Sequence, residues 1–595
     1  MSRVQPNIVF VLTDDQGYGD LGCHGNPVLQ TPNLDRFHGE SLRFTNFHVG
    51  PTCAPTRCGL YTGHFANSTG VWHTVGGRSL LRGNETCIAD VFSDNGYSTA
   101  LFGKWHLGDN APYRPQDRGF QHVVCHGGGG ISQTPDYWGN DYFDDHYFVN
   151  GEAKPFEGYC TDVFFTEALD YIESNADQPF LCFITCNAPH SPYNVDKAYS
   201  APYADKVGTE DRANFYGMIT NIDDNFARLE AKLQELEIAE DTILIFMTDN
   251  GTSMGDAETH TCGLQGYKNS EYDGGHRVPF FLRWANGNLL QARDLTSLTS
   301  HVDFMPTLMD LCGIDLDAYS QLQFHGTSLK PLLTEEHKAW PDRALVTDSQ
   351  RLPNPVKWRK SAVMTEQWRL INGKELFDIN QDRGQVLDIA DTHPEVVSDL
   401  RHAYDEWWDL VSLQFHEEIP ISIGSAAEPV ACLTGHDWRH PDDPWETDPE
   451  ANENNAYLAF DQSIIRQGGG LNGYFEIQVE TTGTYRFELR RWPSEEGRSI
   501  GEGISDSYEG WRSDVVSEKW HNKYMGGIAI PFTRAGITIA GQEQETAIDL
   551  HATSVVFELD LEQGPTHLTT WFRTEEGMER GAYYVYVSVS DKHPS

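Results

Sequence analysis

The chain has 595 residues, 43 Lys+Arg against 88 Asp+Glu, and a net charge of −45. That length exceeds what one hydrophobic core usually supports, so a large domain with smaller additions is expected. The acid excess excludes a nucleic-acid surface, which needs a basic face; it is chain-wide, with 13 Lys+Arg and 29 Asp+Glu in residues 419–595, and reads as a solubility or salt-tolerance trait.

The N-terminal run MSRVQPNIVFVLTDD passes straight into a strand pattern, without a charged region, an apolar stretch and a small-residue cleavage site. A cytoplasmic protein is expected if the chain is full length, and a periplasmic or secreted one if an export signal was removed. No apolar run approaches the roughly 18 residues of a membrane span, so no membrane partner is expected. Eleven cysteines without a Cys-x-x-Cys pair argue against a zinc ribbon or a dense disulfide framework and leave room for one or two bridges.

Taken in chain order, NIVFVLT (7–13), PFLCFIT (179–185) and TILIFMT (242–248) are short apolar runs that predict buried strands of a mostly parallel sheet. Apolar residues at three- and four-residue spacing predict helices over 161–174 and 209–237, and the alternation implies an α/β sandwich. Cys182 and Cys186 share a strand face and read as packed core. Beyond residue 340, SAVMTEQWRLINGKELFD (361–378) predicts a small antiparallel sheet, followed by a helix over 394–415. HDWRHPDDPWETDPEANENN (436–455) reads as an acidic, proline-rich linker. The alternating runs after it predict an all-β sandwich. The expected domains are therefore 1–340, 341–418 and 419–595.

Two of the buried strands end alike, in Thr13-Asp14-Asp15 and Thr248-Asp249-Asn250. In open parallel sheets ligands gather beyond the carboxyl ends of strands, so these ends bring three carboxylates and an amide to one place. Such donors suit a hard divalent cation, calcium before magnesium; the same residues also serve as turn and cap residues after strands. In PTCAPTRCGLYTG (51–63), Pro55 favours a first helical turn and puts Cys53 at or just before the helix start. That position faces the positive end of the helix dipole, and Arg57 lies one turn on. Cys53 is either a nucleophile or a structural cysteine on these grounds alone.

Cys53-Ala-Pro-Thr-Arg57 followed by Leu60-Tyr61-Thr62-Gly63 resembles the signature of the type I sulfatases, in the alkaline-phosphatase-like superfamily. The resemblance spans about residues 5–415 through NIVFVLTDDQGYGDLGCHG, TPNLDRF, FGKWHLG, NAPHSPY, TDNG, GYKNSEYDGGHRVPFF and ELFDINQD, in that order. It implies an alkaline-phosphatase-like α/β fold and oxidation of Cys53 to formylglycine by a formylglycine-generating or sulfatase-maturating enzyme. It also implies calcium held by Asp14, Asp15, Asp249, Asn250 and residue 53. Arg57, Lys104, His106, His190 and Lys268 would ring a sulfate. In that pattern the hydrated aldehyde supplies the attacking hydroxyl, His190 with Lys268 protonates the leaving alcohol, and His106 is the base.

His64 and His276 stand where arginine and an aliphatic residue are commoner, and each reads as a substrate contact or a packed histidine. The insert HVVCHGGGGISQTPDYWGNDYFDDHY (122–147) combines glycine, aromatic and acidic residues, as sugar sites do, with Tyr137 and Trp138 as candidate contacts. In RLPNPVKWRK (351–360), Lys357, Arg359 and Lys360 would suit a polyanion, or form a solvated loop. The expected activity is sulfate-ester hydrolysis on a sulfated saccharide. The alternatives are a phosphonate or phosphate ester hydrolase of the same superfamily and a non-catalytic sulfated-glycan binding protein.

Overall fold

The computed structural model describes residues 5–289, 292–334, 340–440, 457–505, 512 and 515–590. At its centre lies a ten-stranded sheet whose middle is parallel. Thr242–Thr248, Asn7–Thr13, Phe180–Thr185, Ser98–Gly103 and His122–Cys125 run side by side in one direction. Antiparallel pairing begins only towards the edges, at Phe280–Arg283 and His146–Val149. The expected strands are therefore present.

All seven residues of Asn7–Thr13 and of Thr242–Thr248 are buried, as a strand covered on both faces requires. Their side chains alternate between two cores. Ile8, Phe10 and Leu12 pack with Ala54, Tyr61, Val91 and Leu308 on one face; Val9 and Val11 pack with Phe164, Ala168, Phe215 and Phe226 on the other. The helices Cys160–Ser174 and Glu210–Glu235 cover that second face, and the helix Cys53–Thr62 lies on the first. Cys182 and Cys186 are fully buried in the second core. All eleven cysteines are free thiols.

Register decides where the chemistry sits. Thr13 pairs with Thr248, Leu12 with Thr185, and Gly103 with Thr185, so four strands end level at one edge. Gly103 has φ +113, and a Cβ there would lie 2.1 Å from the Thr185 carbonyl oxygen. Only glycine fits where the chain turns out of the sheet against its neighbour.

The strands Leu345–Asp348, Ser361–Met364, Trp368–Ile371 and Glu375–Asp378 form a four-stranded antiparallel sheet, with the helix Pro394–Val411 after it. Beyond this, two further sheets face one another. One is built on Tyr474–Val479, Gly564–Thr574 and Phe532–Ile539, and the other on Val430–Thr434, Tyr584–Val589, Gly483–Arg490 and Val555–Leu561. Tyr474–Val479 and Gly483–Arg490 are consecutive strands yet belong to different sheets, which gives the sandwich its crossover.

The linker expectation is corrected at its start. Trp438 is 0% exposed and His436, Asp437 and Arg439 are buried, because this segment threads between the catalytic layers and the sandwich. Residues 441–455 of that stretch lie outside the described residues.

Candidate active site

The level strand ends deliver their next residues to one place. Asp14 and Asp15 follow the first strand and Asp249 and Asn250 follow Thr242–Thr248; all four are at most 1% exposed. Asp14, Asp15 and Asp249 each offer a carboxylate oxygen, and these atoms lie within 4.8 Å of one another. Asp15 holds φ +67, an uncommon conformation for a residue with a side chain and one that marks functional turns. It lets the Asp15 backbone N–H donate to Asp249 Oδ1 at 3.1 Å.

Cys53 opens the helix Cys53–Thr62, with Thr52 extended before it, so residue 53 meets the unpaired amides of a helix start. It is 2% exposed, and burial raises its thiol pKa against the opposing pull of Lys104 and Lys268. Arg57, fully buried, donates through Nη2 and Nε to Asp249 Oδ2 at 2.8 and 3.2 Å and through Nη1 to the Lys104 carbonyl at 2.9 Å. Lys104 Nζ donates to Asp14 Oδ2 at 2.5 Å. Lys268 Nζ lies 2.7 and 2.8 Å from the two oxygens of Asp15. His190 Nε2 is 3.7 Å from Asp15 Oδ2. Cys53, Arg57, Lys104, His190 and Lys268 are thus gathered around the three aspartates.

Burial and the neighbouring Asp14 push the Asp249 carboxyl up to about 7, although Arg57 opposes this. Asp15 moves the other way: burial would raise it, but Lys268, His190 and Lys104 hold it well below the usual carboxylate range. Burial and the lysines press His190 down to about 3, against Asp15. Three carboxylates face three permanent cations, so the cluster is close to neutral.

The donor set fits a hard divalent cation. Asn250 Nδ2 donates to Asp15 Oδ1 and to the Gly251 carbonyl, both at 2.9 Å, which leaves Asn250 Oδ1 as a lone oxygen. That atom and Asp14 Oδ1 are buried without a hydrogen-bond partner among the described residues. Unpaired buried oxygens are costly, and oxygen coordination by a cation such as calcium removes that cost.

His106 comes from the turn after Ser98–Gly103, with φ +64, and not from a strand face shared with Lys104. Its Nε2–H donates to the Thr74 carbonyl at 2.9 Å, and Nδ1 has no partner among the described residues. Burial first, then Lys104, Arg57 and His436, hold His106 well below its ordinary pKa of 6.5. His436 belongs to the misread linker. Its Nδ1 lies 2.8 Å from Asp437 Oδ1, and no sequence spacing could have connected it with His106.

The substrate-contact expectations fare differently. Trp138 is 9% exposed and packs edge-on to Trp492, with the Arg466 guanidinium 4.5 Å from its ring centre. It anchors the insert to the sandwich and presents no face to a sugar. Tyr137 stacks on His146 at 4.1 Å and lines a cavity of about 510 Å³ with an acidic wall of Asp109, Asp136, Glu428 and Glu495. Two of the insert's glycines serve close packing: a Cβ on Gly129 would lie 2.3 Å from the His106 ring, and one on Gly127 2.3 Å from the Pro135 carbonyl.

His276 is fully buried, with Nδ1 2.9 Å from His48 Nδ1 and Nε2 3.0 Å from the Glu271 carbonyl. Lys357 pairs with Asp405 at 2.7 Å, and Arg359 donates to the Ser349 and Gln350 carbonyls. His276 and Arg359 are committed to the fold, whereas the Lys357 pair lies at the surface.

His64 is a packed histidine, with Nδ1 2.7 Å from Glu85 Oε2 and Nε2 2.7 Å from the Leu322 carbonyl. Burial opposes its protonation, but Glu85 outweighs this and holds its pKa above the ordinary 6.5. A raised folded-state pKa stabilises fully below 6.5 and is lost as pH rises through the raised value. His64→Gln should therefore cost of order 1 kcal/mol at pH 6 and less at pH 8. Urea unfolding of both proteins at the two pH values measures this, and an equal loss at both would disprove it.

A family model described as Sulfatase matches residues 6–314, more than half of the chain. The chain belongs to the sulfatase family. A second model, N-sulphoglucosamine sulphohydrolase, C-terminal, matches residues 267–406 of this sulfatase. It is similar to N-acetylgalactosamine-6-sulfatase of Homo sapiens, 30% identical over 363 residues, covering 56% of this chain and 66% of that one. It is also similar to arylsulfatase G of Rattus norvegicus, 30% identical over 359 residues, covering 52% and 66%. It thus spans just under two thirds of the length of these relatives. In structure it resembles Ps i-CgsB, solved in complex with k-i-k-neocarrahexaose: TM-score 0.61, 23% identity, covering 69% of this chain and 98% of that one. That likeness is one of fold.

Proposed function

We propose that this chain hydrolyses sulfate ester groups on a sulfated carbohydrate, with Cys53 oxidised to formylglycine and calcium held by Asp14, Asp15, Asp249, Asn250 and residue 53. The observation that carries this reading is the convergence of three buried carboxylates, two unpartnered oxygens and three fixed cations on a cysteine at a helix start. The carbohydrate preference draws on the names of relatives, among them N-acetylgalactosamine-6-sulfatase.

When present, the cation supplies Lewis acidity and the aldehyde hydrate supplies the nucleophilic hydroxyl. The side chains do the rest. A divalent charge added to a near-neutral cluster makes it positive, the sign a sulfate group requires in so acidic a chain. Arg57, pinned at both ends, keeps a fixed charge one helical turn from residue 53. Lys104 and Lys268 offer localised charge to sulfate oxygens, where negative charge grows in the transition state.

His106, with Nε2–H tied to Thr74, presents Nδ1 as its only basic nitrogen, which suits a proton acceptor. His190 Nδ1 donates to the Ser191 carbonyl at 2.6 Å and leaves Nε2 for the substrate side. An anion beside it raises its pKa from about 3 and lets it carry the proton a leaving alcohol needs.

The test compares sulfate monoester, phosphate monoester and phosphate diester substrates of one leaving group, together with the mass of tryptic peptide 44–57 from the native cell. Faster sulfate release and an aldehyde mass at residue 53 are expected. A phosphodiester preference, or an unmodified thiol in active native protein, would overturn the reading.

A further inference from the structure

The loop after Asp14-Asp15 carries a second, chemically different cluster. Cys23 and His24 lie in the short turn Gly22–His24, and His38 lies near the end of the helix Pro32–Glu40. Each offers one ligand atom, and these three atoms lie within 4.8 Å of one another, on partly exposed side chains. Tetrahedral zinc ligands stand about 3.3–3.8 Å apart, given metal bonds of about 2.0–2.3 Å. Side-chain rotations of roughly 1 Å therefore close the set.

His24 is already prepared as a ligand. Its Nδ1–H donates to the Tyr18 carbonyl at 2.7 Å, which fixes the tautomer and leaves the Nε2 lone pair free, the arrangement outer-shell carbonyls impose on metal-binding histidines. The ring is steadied by stacking on Tyr18 at 4.2 Å and meets His38 edge-on at 5.6 Å. Neither ring nitrogen of His38 has a hydrogen bond among the described residues.

A loop on the far side closes the cluster. Cys262 Sγ donates to the His24 carbonyl at 3.1 Å, and His260 Nε2 lies 3.3 Å from the same oxygen. Asp35 Oδ1 accepts from the Cys23 N–H at 2.7 Å and ties the turn to the helix.

We propose that Cys23, His24 and His38 form a zinc site that clips the loop carrying Asp14 and Asp15 to the helix Pro32–Glu40. One thiolate and two imidazoles are soft and borderline donors, which select zinc and reject calcium. The site is therefore independent of the oxygen cluster at the strand ends. Its fourth position falls to water or to the nearby Asp35 carboxylate, and binding releases the thiol proton.

The test uses calcium-saturated full-length protein titrated with zinc against a chromophoric chelator, and separately with cobalt(II) read by absorption. One saturable zinc equivalent and a thiolate-to-cobalt charge-transfer band are expected. Cys23→Ser and His38→Gln should each weaken zinc more than about 100-fold, beyond the cost of losing an outer-shell partner, and Cys23→Ser should abolish the band. Zinc affinity unchanged in either variant, or no thiolate band in the wild type, would overturn the proposal. His38 is partly exposed and its ring makes no hydrogen bond among the described residues, so His38→Gln separates loss of a ligand from loss of the fold.

Discussion

Cys53→Ala is expected to lower sulfate release by at least about 10⁴-fold while leaving the melting temperature within a few degrees of the wild type. The side chain is 2% exposed at the first position of its helix, among Lys104, Lys268, Asp14 and Asp249, and truncation removes one sulfur atom. The packing cost is of order 1 kcal/mol, and the helix keeps its extended Thr52 cap and its Arg57 to Asp249 bridge. Activity and stability should therefore separate. Arg57→Ala should not separate them: it leaves Asp249 buried without its partner, at a cost of about 3–5 kcal/mol, and both readouts should fall together. Turnover of an aryl sulfate and thermal unfolding of both variants provide the comparison. An active Cys53→Ala protein would remove residue 53 from the chemistry.

A chain ended after residue 418 is expected to be insoluble or unfolded, with soluble yield down at least about tenfold. The sandwich core includes Val75, Leu80, Tyr113 and Trp138 from the catalytic layers, so the deletion uncovers apolar surface on the part that remains. Backbone bonds are lost as well. The Gly76 N–H donates to the His436 carbonyl at 2.8 Å, and Thr134 donates to Phe460 at 3.0 Å. Gln462 Nε2 reaches the carbonyls of Gln133, Asp136 and Tyr137. Each cut leaves a polar group unsatisfied. Soluble yield and near-ultraviolet circular dichroism decide, and a soluble, cooperatively folding fragment would show the sandwich to be a detachable module.

Much of the site was legible because its residues are local and repeated. Asp14-Asp15 and Asp249-Asn250 close two apolar runs of equal length, and parallel pairing in register brings such ends together. Cys53 and Arg57 sit one helical turn apart, so their proximity is written in the chain. His106, His190 and Lys268 depended on the resemblance, because loops of unknown path carry them.

The misreadings have one physical cause. Residue type reads Trp138 as a sugar contact, whereas its place depends on Arg466 and Trp492, distant in sequence; of the two readings open for His276, the packed one holds, and His48 beside it comes from a strand distant in sequence. The acidic composition of 436–455 resembled a linker, but Trp438 in it is among the largest fully buried side chains. Composition over 20 residues says nothing of a single tryptophan's pocket.

The position of Asn7–Thr13, between Phe180–Thr185 and Thr242–Thr248, has a consequence for synthesis. Asn7–Thr13 is a central strand, and neither neighbour exists until well over 150 residues later. At about 5–20 residues per second, NIVFVLT waits roughly 10–50 seconds for its partners, an apolar strand with both edges open, which calls for chaperone cover. The same delay keeps Cys53 outside the closed fold, and so gives the proposed oxidation of that residue its period of access.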